Sequence, residues 1–198
     1  CGMFTGIIEK IGMITELIYS EKNVSFWIES PISDELSIDQ SVAHNGVCLT
    51  VEEIKDGKHK VTAIQETLNK TNLKQWKNKS IINLERCLPM NGRLDGHLVQ
   101  GHVDSVATCS AIAEKQGSWE YTFSFDPKFA SLLIEKGSVT INGISLTLFD
   151  VSNQSFRVAI IPYTFEHTTM QHLVIGDEVN IEFDMIGKYI NRIMELKK

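Results

Sequence analysis

Apolar and polar residues alternate over short runs through most of this chain. The stretches VSFWIE (24–29), VCLTVEEI (47–54) and KHKVTAI (58–64) mix β-branched, aromatic and polar positions, as a strand with one buried face requires. WEYTFSF (119–125), ISLTLFDV (144–151) and SFRVAII (155–161) repeat the pattern. Turn chemistry punctuates the runs at His44-Asn45-Gly46, Lys55-Asp56-Gly57-Lys58, Ile141-Asn142-Gly143 and Ser152-Asn153-Gln154. The Asn-Gly pair ahead of each central strand predicts a tight turn in which glycine takes a positive φ. Thr67–Gln75 and Thr164–His172 are too short for a free helix and predict one or two packed turns. The tail changes period: Ile186, Tyr189, Ile190, Ile193, Met194 and Leu196 fall largely on one side at helical spacing. That apolar stripe needs cover, either from its own barrel or from another subunit. Many short strands without long βα alternation disfavour a doubly wound sheet and predict an all-β chain of two small antiparallel barrels or sandwiches.

The patterns are two copies of one text. VAHNGVCLTV (42–51) and VTINGISLTL (139–148) agree at Val, Asn, Gly, Leu and Thr, an offset of 97 that carries Asn45 onto Asn142. The same offset carries Val61, Ile64, Thr67 and Thr71 onto Val158, Ile161, Thr164 and Thr168, and Asn83 and Glu85 onto Asn180 and Glu182. Near the start of each copy the register slips by two, so that Gly6 and Glu9 match Gly101 and Asp104. The expected units are 3–93, 94–185 and the helical tail 186–198.

Composition narrows the function classes. A length of 198 residues suits one large or two small domains. Nineteen Lys plus Arg against 25 Asp plus Glu leave a net charge of −6, which argues against a nucleic-acid backbone as partner. The longest basic run is Lys197-Lys198, and no window of 18 apolar residues exists, so a cytoplasmic protein without a membrane span is expected. Cysteines at 1, 48, 87 and 109 form no CxxC pair, and a structural zinc site is not expected.

Candidate chemistry collects at a few positions. Cys48 opens a central strand and its counterpart is Ser145, so one position offers a thiol where the other offers a hydroxyl. Cys48 is either a buried small hydrophobe or a site residue; Cys87 and Cys109 read as structural filler. His97 and His102 lie five apart in the segment joining the halves, which on a strand puts them on opposite sides. That spacing is not the HExxH of a zinc helix, but one imidazole facing a cleft would serve as acid or base near neutral pH. Asp184 ends the last strand just before the tail, as a helix cap or a group reaching a ligand. No phosphate-binding glycine loop is present.

MFTGI (3–7), SVAHNGVCLTV (41–51), ETLNKTNL (66–73), GHLVQGHVD (96–104), NGISLT (142–147), IPYTFEHTTM (161–170) and VNIEFDMIGKY (179–189) together resemble the riboflavin synthase alpha-chain family over 3–196. The resemblance implies two six-stranded Greek-key β-barrels and a C-terminal trimerisation helix. It implies conversion of two molecules of 6,7-dimethyl-8-ribityllumazine into riboflavin and 5-amino-6-ribitylamino-uracil, without cofactor or metal. Active sites between subunits of a homotrimer are implied, and association with lumazine synthase is a further partner the family suggests. Carried over position by position, Cys48, His102, Ser145 and Asp184 are the expected catalytic residues. Phe4, Ser41, Thr50, His97, Lys136, Thr147 and Thr164 are the expected substrate-binding residues. Asn142 stands where many relatives carry Asp, and Val47 where some carry a second Cys. The competing implication is a catalytically silent lumazine-binding antenna of the same fold.

Overall fold

Side-chain alternation decides which face of each strand is covered. In β4 (Val47–Lys55), Val47, Leu49 and Val51 are buried while Thr50 and Glu52 are exposed. In β10 (Ile144–Phe149), Ile144, Leu146 and Leu148 are buried and Thr147 is exposed. A sheet with one apolar face covers it most completely by closing on itself, which also removes its edges. The computed structural model describes residues 2–197, and among these the strands form two closed six-stranded antiparallel barrels.

Barrel 1 holds β1 (Lys10–Ser20), β2 (Asn23–Glu29), β3 (Ser41–His44), β4, β5 (Lys58–Ala63) and β6 (Ile81–Arg86) in the circuit β1-β2-β5-β4-β3-β6. Barrel 2 holds β7 (Ser105–Lys115), β8 (Ser118–Ser124), β9 (Ser138–Ile141), β10, β11 (Ser155–Ile160) and β12 (Glu178–Phe183) in the circuit β10-β11-β8-β7-β12-β9, the same order in duplicate. The pairings β2 with β5 and β3 with β6 are the long-range closures of a Greek key. Each barrel has its own apolar core.

The predicted packed turns are α1 (Gln65–Lys70) with a 3₁₀ turn at Asn72–Gln75, and α2 (Pro162–His167) with one at Thr169–His172. The repeated threonines cap them. Thr71 and Thr168 donate to the carbonyls of Thr67 and Thr164 at 2.7 and 2.6 Å and accept from the N–H groups of Leu73 and Met170. The tail forms α3 (Met185–Glu195), whose N-cap is Asp184, accepting from the Ile186 N–H at 3.0 Å. Lys198 of the expected tail lies outside the described residues. Among the described residues no helix is long and apolar enough to cross a membrane.

One expectation is corrected here. The segment carrying His97 and His102 is not a strand; its ladder is the single bridge from Val99 to Phe4. The chain there, and its counterpart at residues 3–7, runs as a strap between the barrels, and Gly101 and Gly6 turn it at φ values of +75° and +79°.

The Asn-Gly turns do more than reverse the chain. Asn83 donates through Nδ2 to the Asn142 carbonyl (2.9 Å) and the Thr169 hydroxyl (3.0 Å), and its Oδ1 accepts from the Thr169 N–H at 2.9 Å. Asn180 reciprocates, donating to the Asn45 carbonyl (2.9 Å) and accepting from the Asn72 N–H (2.8 Å). Each barrel thus satisfies buried amides of the other, as buried polar groups require. Asn142 belongs to this seam: its Oδ1 accepts from the Asn180 N–H at 2.9 Å while its backbone carbonyl takes the Asn83 amide from the other barrel.

At the centre of the seam the two turns touch backbone to backbone. A Cβ on Gly46 would stand 2.7 Å from the Gly143 nitrogen, and one on Gly143 would stand 2.8 Å from the Gly46 nitrogen. Gly117 has a similar φ of +84° but open space around it. Gly117→Ala is therefore expected to cost only the left-handed strain, about 1–2 kcal/mol. Gly46→Ala adds overpacking against a backbone that cannot turn aside, for about 2–5 kcal/mol in total. Denaturant midpoints of the two variants measure the difference, and equal midpoints would remove the seam clash.

Candidate functional site

The hydroxyl-bearing positions of the repeat share the outer face of each barrel. On barrel 1, Ser41 pairs with Thr50 and Ala43 with Cys48 across β3 and β4. On barrel 2, Ser138 pairs with Thr147 and Thr140 with Ser145 across β9 and β10. Because alternate residues fill the cores, these pairs turn outward and form two equivalent half-sites. Ile64 and Ile161, exposed at the ends of β5 and β11, place matched apolar positions just before α1 and α2. Thr164 follows in α2, half-buried. Lys136 sits in the turn before β9 with φ +64°; its N–H donates to the Leu148 carbonyl at 3.0 Å, and its ammonium stands 5.8 Å from the centre of the Phe149 ring.

The straps finish each half-site. Cys48 donates its N–H to the Gly101 carbonyl at 2.9 Å, which seats the Gly101-His102 turn on barrel 1. Ser145 donates its N–H to the Gly6 carbonyl at 2.8 Å, which seats Gly6 on barrel 2. Neither strap has room for a side chain at its glycine: a Cβ on Gly101 would lie 2.7 Å from the Cys48 Cβ, and one on Gly6 2.6 Å from the Ser145 Cβ. Phe4 is fully buried against Ala43 and Val99, with Cys48 and Cys87 packed on the same cluster, so its ring is part of the floor under half-site 1.

The fold therefore divides the sequence-predicted residues into two sets. Phe4, Ser41, Cys48 and Thr50 assemble on barrel 1 beside His102, whose side chain is exposed. His97, Ser145, Thr147, Lys136, Thr164 and Asp184 belong to the barrel 2 side. There His97 Nδ1 lies 2.7 Å from the Ser145 hydroxyl, and the His97 N–H donates to the Thr5 carbonyl at 3.1 Å.

Electrostatics give the two sets different chemistry. Burial pushes the Cys48 thiol above its ordinary range, only partly offset by a hydrogen bond with Ser41, so Cys48 is a neutral thiol at neutral pH. Burial lowers His97, against a smaller upward pull from the Asp184 carboxylate. A neutral imidazole facing a serine hydroxyl is a proton acceptor in place. Asp184 caps α3 and also lines a cavity of about 330 Å³ between that helix and Gly137-Ser138 of barrel 2. Among the described residues no group of three or more metal-ligating side chains clusters.

Sequence reasoning missed two features. Cys87, read as filler, occupies the position that the 97-residue offset gives to Asp184. It lines a larger groove of about 760 Å³ against residues 88–95, where barrel 2 has α3. Glu85 and Glu182 were only landmarks of the repeat, yet both are buried and hold the straps. The signal was available: a carboxylate recurring inside a strand at an otherwise apolar position needs a partner.

A family model described as "Lumazine binding domain" matches residues 5–87 and 100–184, one copy to each barrel. Riboflavin synthase of Actinobacillus pleuropneumoniae is 40% identical over 197 residues, covering 99% of this chain and 91% of that protein. Riboflavin synthase of Bacillus subtilis strain 168 is 38% identical, covering 97% and 90%. Among solved structures, LumP complexed with 6,7-dimethyl-8-(1'-D-ribityl) lumazine superposes with a TM-score of 0.83 at 21% identity, over 91% of this chain and 98% of LumP. LumP complexed with riboflavin gives 0.84 at 22% over the same shares. At that identity the likeness establishes the barrel pair as a shared fold.

Proposed function

Because this chain belongs to the riboflavin synthase family, we propose that its duplicated half-sites carry out that family's reaction, with two molecules of 6,7-dimethyl-8-ribityllumazine giving riboflavin and 5-amino-6-ribitylamino-uracil. The observation that carries the reading is the duplication itself. A four-carbon unit moves between two identical molecules, and the chain offers two equivalent outward faces, each with a row of hydroxyls and one distinct reactive position. Holding two rings face to face supplies much of the acceleration, since orientation replaces a bimolecular encounter. Proton loss from the C7 methyl of one lumazine spreads charge into its pyrimidine ring, where hydroxyl donors such as Thr50 and Thr147 stabilise it. The neutral Cys48 thiol shapes and polarises half-site 1. The Ser145–His97 pair exchanges a proton with the lumazine on barrel 2, and His102, on the exposed strap, shuttles protons beside barrel 1.

The half-sites open outward, and each needs a second ring opposite it. We place that ring on the other barrel of a neighbouring subunit in a homotrimer. The stripe of Ile186, Tyr189, Ile190, Ile193 and Met194 on α3 supports assembly through that helix, since each of these apolar side chains stays more than half exposed in the single chain.

Incubating the protein with 6,7-dimethyl-8-ribityllumazine alone is the direct test. Riboflavin absorbance is expected to grow over many turnovers with no addition beyond buffer, with one uracil product released per riboflavin. Retention of stoichiometric lumazine without product would overturn the reading in favour of an antenna.

A further inference from the structure

The strap contacts cross the seam. Glu85 in β6 accepts from the Thr5 N–H and hydroxyl at 2.7 Å each and from the Gly6 N–H at 3.0 Å. Glu182 in β12 accepts from the N–H groups of Gln100 and His102 at 2.7 and 2.9 Å. Each carboxylate thus grips a strap from its own barrel, at or beside the strap's glycine. The glycine's carbonyl then takes the N–H of the reactive position on the other barrel: Gly6 that of Ser145, and Gly101 that of Cys48.

We propose that Glu85 and Glu182 are positioning residues that act across the seam, the barrel 1 carboxylate setting Ser145 on barrel 2 and the barrel 2 carboxylate setting Cys48 and His102 on barrel 1. The assignment rests on the reading of Cys48 and Ser145 as markers of the two lumazine sites. Two features make the link stiff. Hydrogen bonds to a buried carboxylate are stronger than those between neutral groups, and a strap seated without space for a Cβ cannot shift without moving the strand beneath it. A consequence is that the half-sites are coupled: loosening one barrel's carboxylate disturbs the site on its neighbour rather than its own.

Glu182 also sits where the clamp responds to pH. Burial raises its carboxyl to about 7, against the Gln100 and His102 N–H donors and the Lys188 ammonium, while the Asp104 carboxylate adds to the rise. As pH falls through neutrality one oxygen acquires a proton and ceases to be a ready acceptor, so the grip on His102 or Gln100 weakens.

Amide hydrogen exchange of the full-length protein, read residue by residue by NMR, tests the crossing. Glu182→Gln removes one of two acceptors. It is expected to speed exchange of the Cys48 amide about tenfold or more, the factor for losing a hydrogen bond to a charged acceptor, and to leave the Ser145 amide unchanged. Glu85→Gln is expected to do the reverse, and carries the test alone if Glu182→Gln fails to fold. Core amides such as Ile82 and Val158 report any global loosening, which a merely structural role would produce at every site. Acceleration at Ser145 in Glu182→Gln, at both sites equally, or at neither, would overturn the inference. In the unaltered protein, riboflavin is expected to shift both amides; if it shifts neither, the site reading fails instead, independently of the exchange result.

Discussion

Ending the chain at Met185 is expected to leave a folded monomer that has lost riboflavin synthase activity. None of the α3 residues is buried, and the helix lies outside both barrel cores. Eleven residues are marginal as a free helix, so α3 owes its order to contacts with the 3₁₀ segment Pro127–Leu132 and to whatever covers its stripe. Removing it takes away Lys188, whose ammonium lies 2.6 Å from Asp104. Asp104 keeps the Phe183 N–H at 2.9 Å, and a partly exposed ion pair is worth about 0–1 kcal/mol. The barrels should therefore stay folded, with a melting temperature within a few degrees of the parent. Assembly should fail: sedimentation should give the mass of one chain in place of three. With each half-site facing solvent, two lumazines meet only by diffusion, and kcat/KM is expected to fall by about 10³ or more. A trimer that survives truncation would remove α3 from the interface. A monomer with full activity would remove the inter-subunit site altogether.

The duplication was the most legible property of this sequence, because residues that close equivalent turns and cap equivalent helices must match in kind. Six strands followed directly from alternation. The other six did not, and for β1 and β7 the reason is local. β1 slips register between Ile14 and Glu16, and β7 between Cys109 and Ala111, so a bulge interrupts the period of two in each. The Asn-Gly turns were readable as turns but not as a seam, since their backbone carbonyls accept from asparagines of the other barrel, 59 and 135 residues away. The same limit applied to the site. Cys48 and Ser145 stood out by position, whereas the link from Glu182 through Gly101 to Cys48 exists only once both barrels are closed. His97 and His102 were misplaced because five-residue spacing implies opposite faces only on a regular strand, and the turn at Gly101, with its positive φ, leaves none there.

The barrels also differ where the sequence appeared merely to vary. Inside barrel 1, His44 and His59 are fully buried with their Nε2 atoms 2.9 Å apart. The equivalent positions in barrel 2 are Ile141 and Phe156, both in its apolar core. The Val42 carbonyl only accepts, so His44 Nδ1 donates to it at 3.0 Å. His44 Nε2 is then the acceptor, His59 Nε2 the donor, and His59 Nδ1 accepts from the Ser33 hydroxyl at 2.9 Å. The chain of four groups is satisfied with both rings neutral.

That arrangement makes barrel 1 the acid-labile half. Burial holds His59 at about 4 and, together with the nearby His59 ring, holds His44 well below the ordinary 6.5. A histidine lowered in the folded state binds its proton more readily when unfolded. Its contribution is intact above pH 6.5 and is lost as the pH falls toward the folded value. For His59 alone the loss is about 2 kcal/mol by pH 5 and about 3 kcal/mol at pH 4, and His44 adds to it. Importing barrel 2's residues through His44→Ile, His59→Phe and Ser33→Ala should therefore flatten the dependence of unfolding free energy on pH between 6.5 and 4. The test is the slope from urea titrations at several pH values, which survives any change in absolute stability from repacking. A parent protein as stable at pH 4.5 as at pH 7, or a triple variant with an unaltered slope, would show that the buried imidazoles do not set the acid limit of this fold.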